Sequence, residues 1–118
     1  MNVRVVAFDA NGTLVTILTE NGAEEVFRAA AHFLTYQGDH GYRKPDRRLF
    51  QLALDGMAVA AENTLYIGND MQRDIFGAQE AGLKTVMFDS DQGKKAYLDC
   101  VPDFTITDLR DLLRILGV

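Results

Sequence analysis

Apolar and polar positions along this chain switch repeatedly between a strand-like and a helix-like spacing. Val3 to Phe8 is short and β-branched and reads as a mostly buried strand. Asn11-Gly12 breaks it, Leu14 to Leu18 is apolar again, and Asn21-Gly22 marks a turn. From Ala23 to about Tyr36, Val26, Ala29, Ala30 and Phe33 fall at helical spacing, with Glu24 and Glu25 in the first turn. Gly38 to Gly41 is a loop. Pro45 is placed as the first residue of a helix that carries Leu49, Phe50, Leu52 and Ala53 on its inner side.

The second half repeats the alternation. Asn63-Thr64 precedes a strand over Leu65 to Ile67, and a helix follows from Asp74 to Ala81, closed by Gly82. Thr85 to Phe88 and Phe104 to Ile106 read as strands. Thr107 is expected to cap a last helix with Leu109, Leu112, Leu113 and Leu116 on one stripe. Strand–helix alternation of this kind predicts an α/β fold with a parallel sheet. No repeat, linker or low-complexity segment divides the 118 residues, so residues 1–118 are expected to form one domain.

Composition narrows the function more than the fold. With 47% apolar and 25% charged residues the chain is ordinary for a water-soluble protein. A net charge of −5 argues against a broad nucleic-acid footprint. The basic group Arg43, Lys44, Arg47 and Arg48 is a local exception, either a solvated helix start or a phosphate-facing cluster. The single Cys100 excludes an internal disulfide and fits a reducing compartment. No apolar run reaches membrane-span length and no signal-peptide pattern opens the chain, so a cytoplasmic protein without a membrane partner is expected.

The chemistry-bearing residues sit where strands end. Asp9 closes the first apolar run and Asp70 follows Leu65–Ile67. In an open parallel sheet, carboxylates at the C-terminal strand ends line the ligand crevice. Neighbouring strands lie about 4.8 Å apart, which would bring Asp9 and Asp70 to one point. Hard oxygen ligands with room for water suit Mg²⁺. His32, His40, Asp89, Asp91 and the methionines carry weaker signals and are read as surface, loop or core positions.

Three stretches in order resemble the haloacid dehalogenase-like (HAD) hydrolase superfamily. Asp9-Ala10-Asn11-Gly12-Thr13-Leu14 is similar to its first motif, and Lys44-Pro45-Asp46 to its third. Ile67-Gly68-Asn69-Asp70 with Asp74 is similar to the fourth, and the resemblance continues through Asp74-Ile75-Phe76-Gly77-Ala78. It covers the chain except for roughly residues 16–41, and implies a small three-layer, doubly wound core without a cap domain. The resemblance implies an aspartyl-phosphate route with Asp9 as nucleophile and Lys44 bridging nucleophile and phosphate. Mg²⁺ would be held by Asp9, a backbone carbonyl near Asn11, Asp70 and Asp74. Gly12, Thr13 and Lys44 would bind phosphate, and Thr35 is the sole candidate for the second-motif hydroxyl.

Departures from the pattern shape the functional expectation. Asn11 stands where phosphatases of the family carry a general acid–base aspartate, and an amide cannot carry a proton. Asn69 stands where the first fourth-motif aspartate usually sits, leaving Asn69 or Asp70 to pair with Asp74; Asp70 is preferred as ligand. The resemblance therefore implies a Mg²⁺-dependent hydrolase, a weak phosphomonoesterase acting on a small phosphorylated metabolite or a phosphoprotein. A catalytically impaired HAD-like binding or assembly protein is the alternative. A receiver-like signalling domain fits poorly, because its acceptor would lie mid-chain. With the second-motif strand missing, Val3–Phe8 is expected to be an apolar sheet edge, covered by Phe33–Tyr36 or by a second chain in a homodimer.

Overall fold

The computed structural model describes residues 3, 5–10, 13–18, 44–108 and 110–117, with residues 5, 8–10, 13–18 and 57 described by their backbone. Five strands form one sheet in the order β2-β1-β3-β4-β5. They are β1 (Val5–Ala10), β2 (Thr13–Leu18), β3 (Thr64–Gly68), β4 (Lys84–Phe88) and β5 (Phe104–Ile106). β1, β3, β4 and β5 run parallel, and β2 runs antiparallel to β1.

Every residue of β3 is buried, as a central parallel strand covered on both faces requires. On one face, Leu49, Phe50, Ala53 and Leu54 of helix α1 (Arg47–Met57) and Ala78 of the short helix α2 (Gly77–Glu80) pack over Ala7 and Tyr66. On the other, Leu112 of helix α3 (Asp111–Leu116) meets Val6, Leu65, Ile67, Val86 and Ile106. Alternate residues of one strand thus feed opposite cores, giving the expected three-layer, doubly wound α/β arrangement.

Several boundaries differ from the sequence reading for local reasons. Pro45 does not open α1: the Asp46 side chain accepts from the Arg48 N–H at 2.9 Å, so Asp46 is the cap and Pro45 precedes it across a cis Lys44–Pro45 bond. Side-chain hydrogen bonding from Arg48 holds the Asp46 carboxyl down at about 2. Thr107 does not cap the last helix. The Asp108 carboxylate takes the Arg110 N–H at 2.8 Å, and α3 begins only at Asp111, leaving Leu113 55% exposed. The segment before α2 is a π-helical turn, Met71–Phe76, where a plain α-helix from Asp74 was expected; Gly82 closes α2 as predicted, at φ +88°.

The largest correction concerns the sheet edge. Val3–Phe8 does not lie open, because β2 pairs along β1 from Val5–Leu18 to Ala10–Thr13. Neither Phe33–Tyr36 nor a second chain is needed to cover that edge. The predicted helix over 23–36, the loop at 38–41, and residues Asn11, Gly12, His32, Thr35, His40 and Arg43 lie outside the described residues.

Leu65 has no exposed surface and sits under α3 at the centre of the sheet. Leu65→Ala is expected to cost about 2–5 kcal/mol, read as a lower urea midpoint at unchanged slope.

Candidate active site

Strand order fixes where this fold offers a crevice. From β1 the chain turns outward to β2, whereas β3, β4 and β5 progress in the opposite direction. The reversal falls between β1 and β3, and ligands bind outside the carboxyl ends of the strands at such a point. Phe8 pairs with Ile67, so Asp9 and Gly68 are the next residues on the two adjoining strands. Asp9 and Thr13 lie at the facing ends of β1 and β2, Asp9 opposite Leu14 and Thr13 opposite Ala10.

Immediately beyond β3 the chain makes the π-turn, and its geometry sets the site. The Asp70 carbonyl accepts from both the Asp74 N–H at 3.0 Å and the Ile75 N–H at 3.2 Å. This widened turn folds Asp74 back beneath the end of β3. There its Oδ2 accepts from the backbone N–H groups of Asn69 and Asp70 at 3.2 and 3.1 Å. Its Oδ1 accepts from Lys44 Nζ at 2.8 Å and from the Tyr66 hydroxyl at 3.2 Å. Asp74 is 1% exposed. Gly68 permits this approach: a Cβ there would run into the Asp74 carboxylate.

Asp70 plays a different part. Its Oδ1 accepts from the N–H groups of Gln72 and Arg73 at 2.9 and 2.8 Å, capping the π-turn. Its Oδ2 accepts from the Lys94 N–H at 3.2 Å, while the Met71 N–H donates to the Lys94 carbonyl at 2.9 Å. Asp70 thereby staples the 90–95 loop to the end of β3. Burial pushes the Asp70 carboxyl up, but donation from the Arg73, Lys94 and Gln72 N–H groups and the Arg73 charge outweigh it, holding the group below the usual carboxylate range.

The structure therefore brings Lys44, Asp70 and Asp74 together and places Asp9 on the neighbouring strand. Of the basic group, Lys44 turns inward to Asp74, whereas Arg47 and Arg48 are exposed and Arg48 pairs with Asp46. Asp89 pairs with Lys95 at 2.7 Å, in keeping with its reading as a loop carboxylate. Tyr66 escaped the sequence reading, because within an apolar strand it looks like a core aromatic. It is that too, meeting Phe50 edge-on at 5.1 Å, but its hydroxyl reaches Asp74.

The donor chemistry fits a hard divalent cation. Asp70 Oδ2 has one N–H donor, with Arg73 Nε 3.6 Å away, and keeps an acceptor position, and the Asn69 side chain has no hydrogen-bond partner among the described residues. Mg²⁺ takes one or two carboxylates and keeps several waters. Among the described residues no three His, Cys, Asp or Glu side chains cluster as a preformed cage.

The family model for HAD-hydrolase-like proteins matches residues 41–112. The chain belongs to this family. This HAD-like chain is 38% identical over 80 residues to a glyceraldehyde 3-phosphate phosphatase of Pyrococcus furiosus, covering 64% of this chain and 32% of that protein. It is 33% identical over 110 residues to a phosphoserine phosphatase of Thermus thermophilus, covering 86% and 43%. Among solved structures, the HAD-hydrolase YfnB of Bacillus subtilis, bound to magnesium, matches with a TM-score of 0.61 at 33% identity, covering 69% of this chain and 36% of that one. The HAD-like chain thus spans about a third to under half of these relatives. Both of these curated relatives are named as phosphatases.

Asp70 gives a signed pH dependence. Its folded carboxyl titrates below the unfolded one, so its contribution is present above the unfolded value, about 3.9, and is lost as pH falls through the folded value. Asp70→Ala is expected to cost about 0.5–2 kcal/mol at neutral pH, with the gap from the native protein closing below pH about 4 in urea titrations. Asp74→Ala removes the buried carboxylate that meets Lys44, Tyr66 and two peptide N–H groups, and is expected to cost about 3–5 kcal/mol, read as a lower urea midpoint.

Proposed function

We propose that this chain is a Mg²⁺-dependent phosphomonoesterase of low turnover that works through an aspartyl-phosphate on Asp9. The observation that carries the reading is the Lys44–Asp74 ion pair under the end of β3, one strand from Asp9 at the point where strand order reverses. In this reading Asp74 and Tyr66 position Lys44, whose ammonium faces the incoming phosphoryl group as a point charge. Asp9 attacks phosphorus, the P–O bond to the leaving group breaks, and water later cleaves the acyl phosphate to return Asp9 and release phosphate. Gly12, Thr13 and Thr35 are proposed to contact the phosphate oxygens. Asp9, the carbonyl near Asn11, and Asp70 or Asn69 would hold Mg²⁺, with Asp74 behind them through Lys44. The metal would offset the repulsion between two anions.

Asn11 sets the expected rate. With no carboxyl there, the leaving oxygen departs without a protein proton donor and water is not activated by one. Small phosphorylated metabolites or a phosphoprotein with a good leaving group are the substrates this site suits best. A second reading, a HAD-like binding or assembly protein with an impaired site, is favoured by two features. Asn69 is neutral where the pattern calls for a carboxylate, and Asp70 is largely occupied as a cap.

Hydrolysis of p-nitrophenyl phosphate with and without Mg²⁺ tests the proposal. The native chain should turn over slowly, Asp9→Asn should be inactive, and Asn11→Asp should be faster by about 10²–10⁴ where the leaving group is poor. Three inert proteins in the presence of Mg²⁺ would leave the binding reading standing.

A further inference from the structure

A cavity of about 380 Å³ lies between the loop that follows β4 and the strands β4 and β5. Neither Lys44, Asp70 nor Asp74 lines it. Its floor is Met71 and Met87, each 4% exposed, and Cys100, Val101 and Pro102 form a wall. Val101 is 73% exposed and leaves apolar surface in water at this site. The volume falls in the range of small-molecule sites.

The polar groups around this cavity decide what it can hold. Lys95 Nζ is paired with the Asp89 carboxylate at 2.7 Å and also donates to the Ser90 carbonyl, so the two charges at the wall neutralise each other. The Cys100 thiol donates to Gln79 Oε1 at 3.3 Å and burial raises it, so it acts as an apolar wall atom and not as a thiolate. The Thr105 hydroxyl differs: it belongs to an exposed residue at the cavity's rim and has no hydrogen-bond partner among the described residues. A charged ligand would lose hydration against thioethers with no free counter-charge to meet it. An uncharged ring gains contact with the polarisable sulfurs of Met71 and Met87, and a single hydroxyl on it can take the place of water on Thr105.

We propose that this cavity is a binding site for a small uncharged aromatic molecule bearing one hydroxyl group, held by Met71 and Met87 and hydrogen-bonded by Thr105. The site is separate from the phosphoryl chemistry, and its test involves no turnover. Methyl NMR of the intact chain, titrated with p-cresol and with toluene, reads it directly. Saturable shifts of the Met71 and Met87 methyls in the millimolar range are expected, with the Ile67 methyl on the opposite face unmoved. Thr105→Val should weaken p-cresol about five- to tenfold and leave toluene within about twofold. Ala96→Phe, which narrows the cavity from its exposed side, should abolish both. Absence of saturable shifts in the native chain, equal movement of Ile67, or equal weakening of both probes by Thr105→Val would overturn the proposal.

Discussion

A carboxylate buried to 1% exposure must be met by donors on every side, and in this molecule that requirement falls on Asp74. It is met from three directions: Lys44 from ahead of α1, Tyr66 from within β3, and the peptide groups of Asn69 and Asp70 at the strand's end. Lys44 comes from one piece of chain, and Tyr66 with the two peptide groups from another. A single side chain therefore ties the entry of α1 to the exit of β3 and sets the position of the lysine relative to the sheet. The π-turn is the backbone device that allows it, since a regular turn would carry residue 74 to a different azimuth.

The two neighbouring aspartates divide the work by environment. Asp74 is spent on a cation, a phenol and two peptide N–H groups, whereas Asp70 is engaged by three peptide N–H groups. The Asn69 amide is uncommitted among the described residues, and Asp9 lies on the neighbouring strand. Asn69 is an amide where the proposed family pattern has a carboxylate, which lowers the negative charge at the end of β3. That weakens attraction for a divalent cation and, by the same Coulomb term, lowers repulsion of a phosphate dianion.

Much of this architecture was legible before any coordinates. The β-branched runs at 3–8, 65–67, 85–88 and 104–106 named the four parallel strands because buried parallel strands are continuously apolar. Asp70 and Asp74 stand out because carboxylates at the C-terminal ends of parallel strands line ligand crevices. Other features were hidden for identifiable reasons. β2 is masked because Asn11-Gly12 reads as a break, although the same dipeptide between two apolar runs is also a hairpin signal. The late start of α3 depends on an Asp108 side-chain contact that competes with Thr107 and leaves no trace in periodicity. The role of the Tyr66 hydroxyl arises only from a contact eight residues along the chain and through a non-α turn.

Parallel pairing of β1 with β3 joins Val5 to Thr64, whereas β3, β4 and β5 are linked by much shorter stretches of chain. Loop-closure entropy favours the short closures first, so the C-terminal sheet with its helices can assemble while β1 and β2 are still finding their place. The residues of the crevice are split across that boundary, Asp9 on one side and Lys44, Asp70 and Asp74 on the other. Docking of the β1–β2 hairpin is then the step that completes the crevice, and a partly opened form of the chain would carry the ion pair without Asp9 beside it.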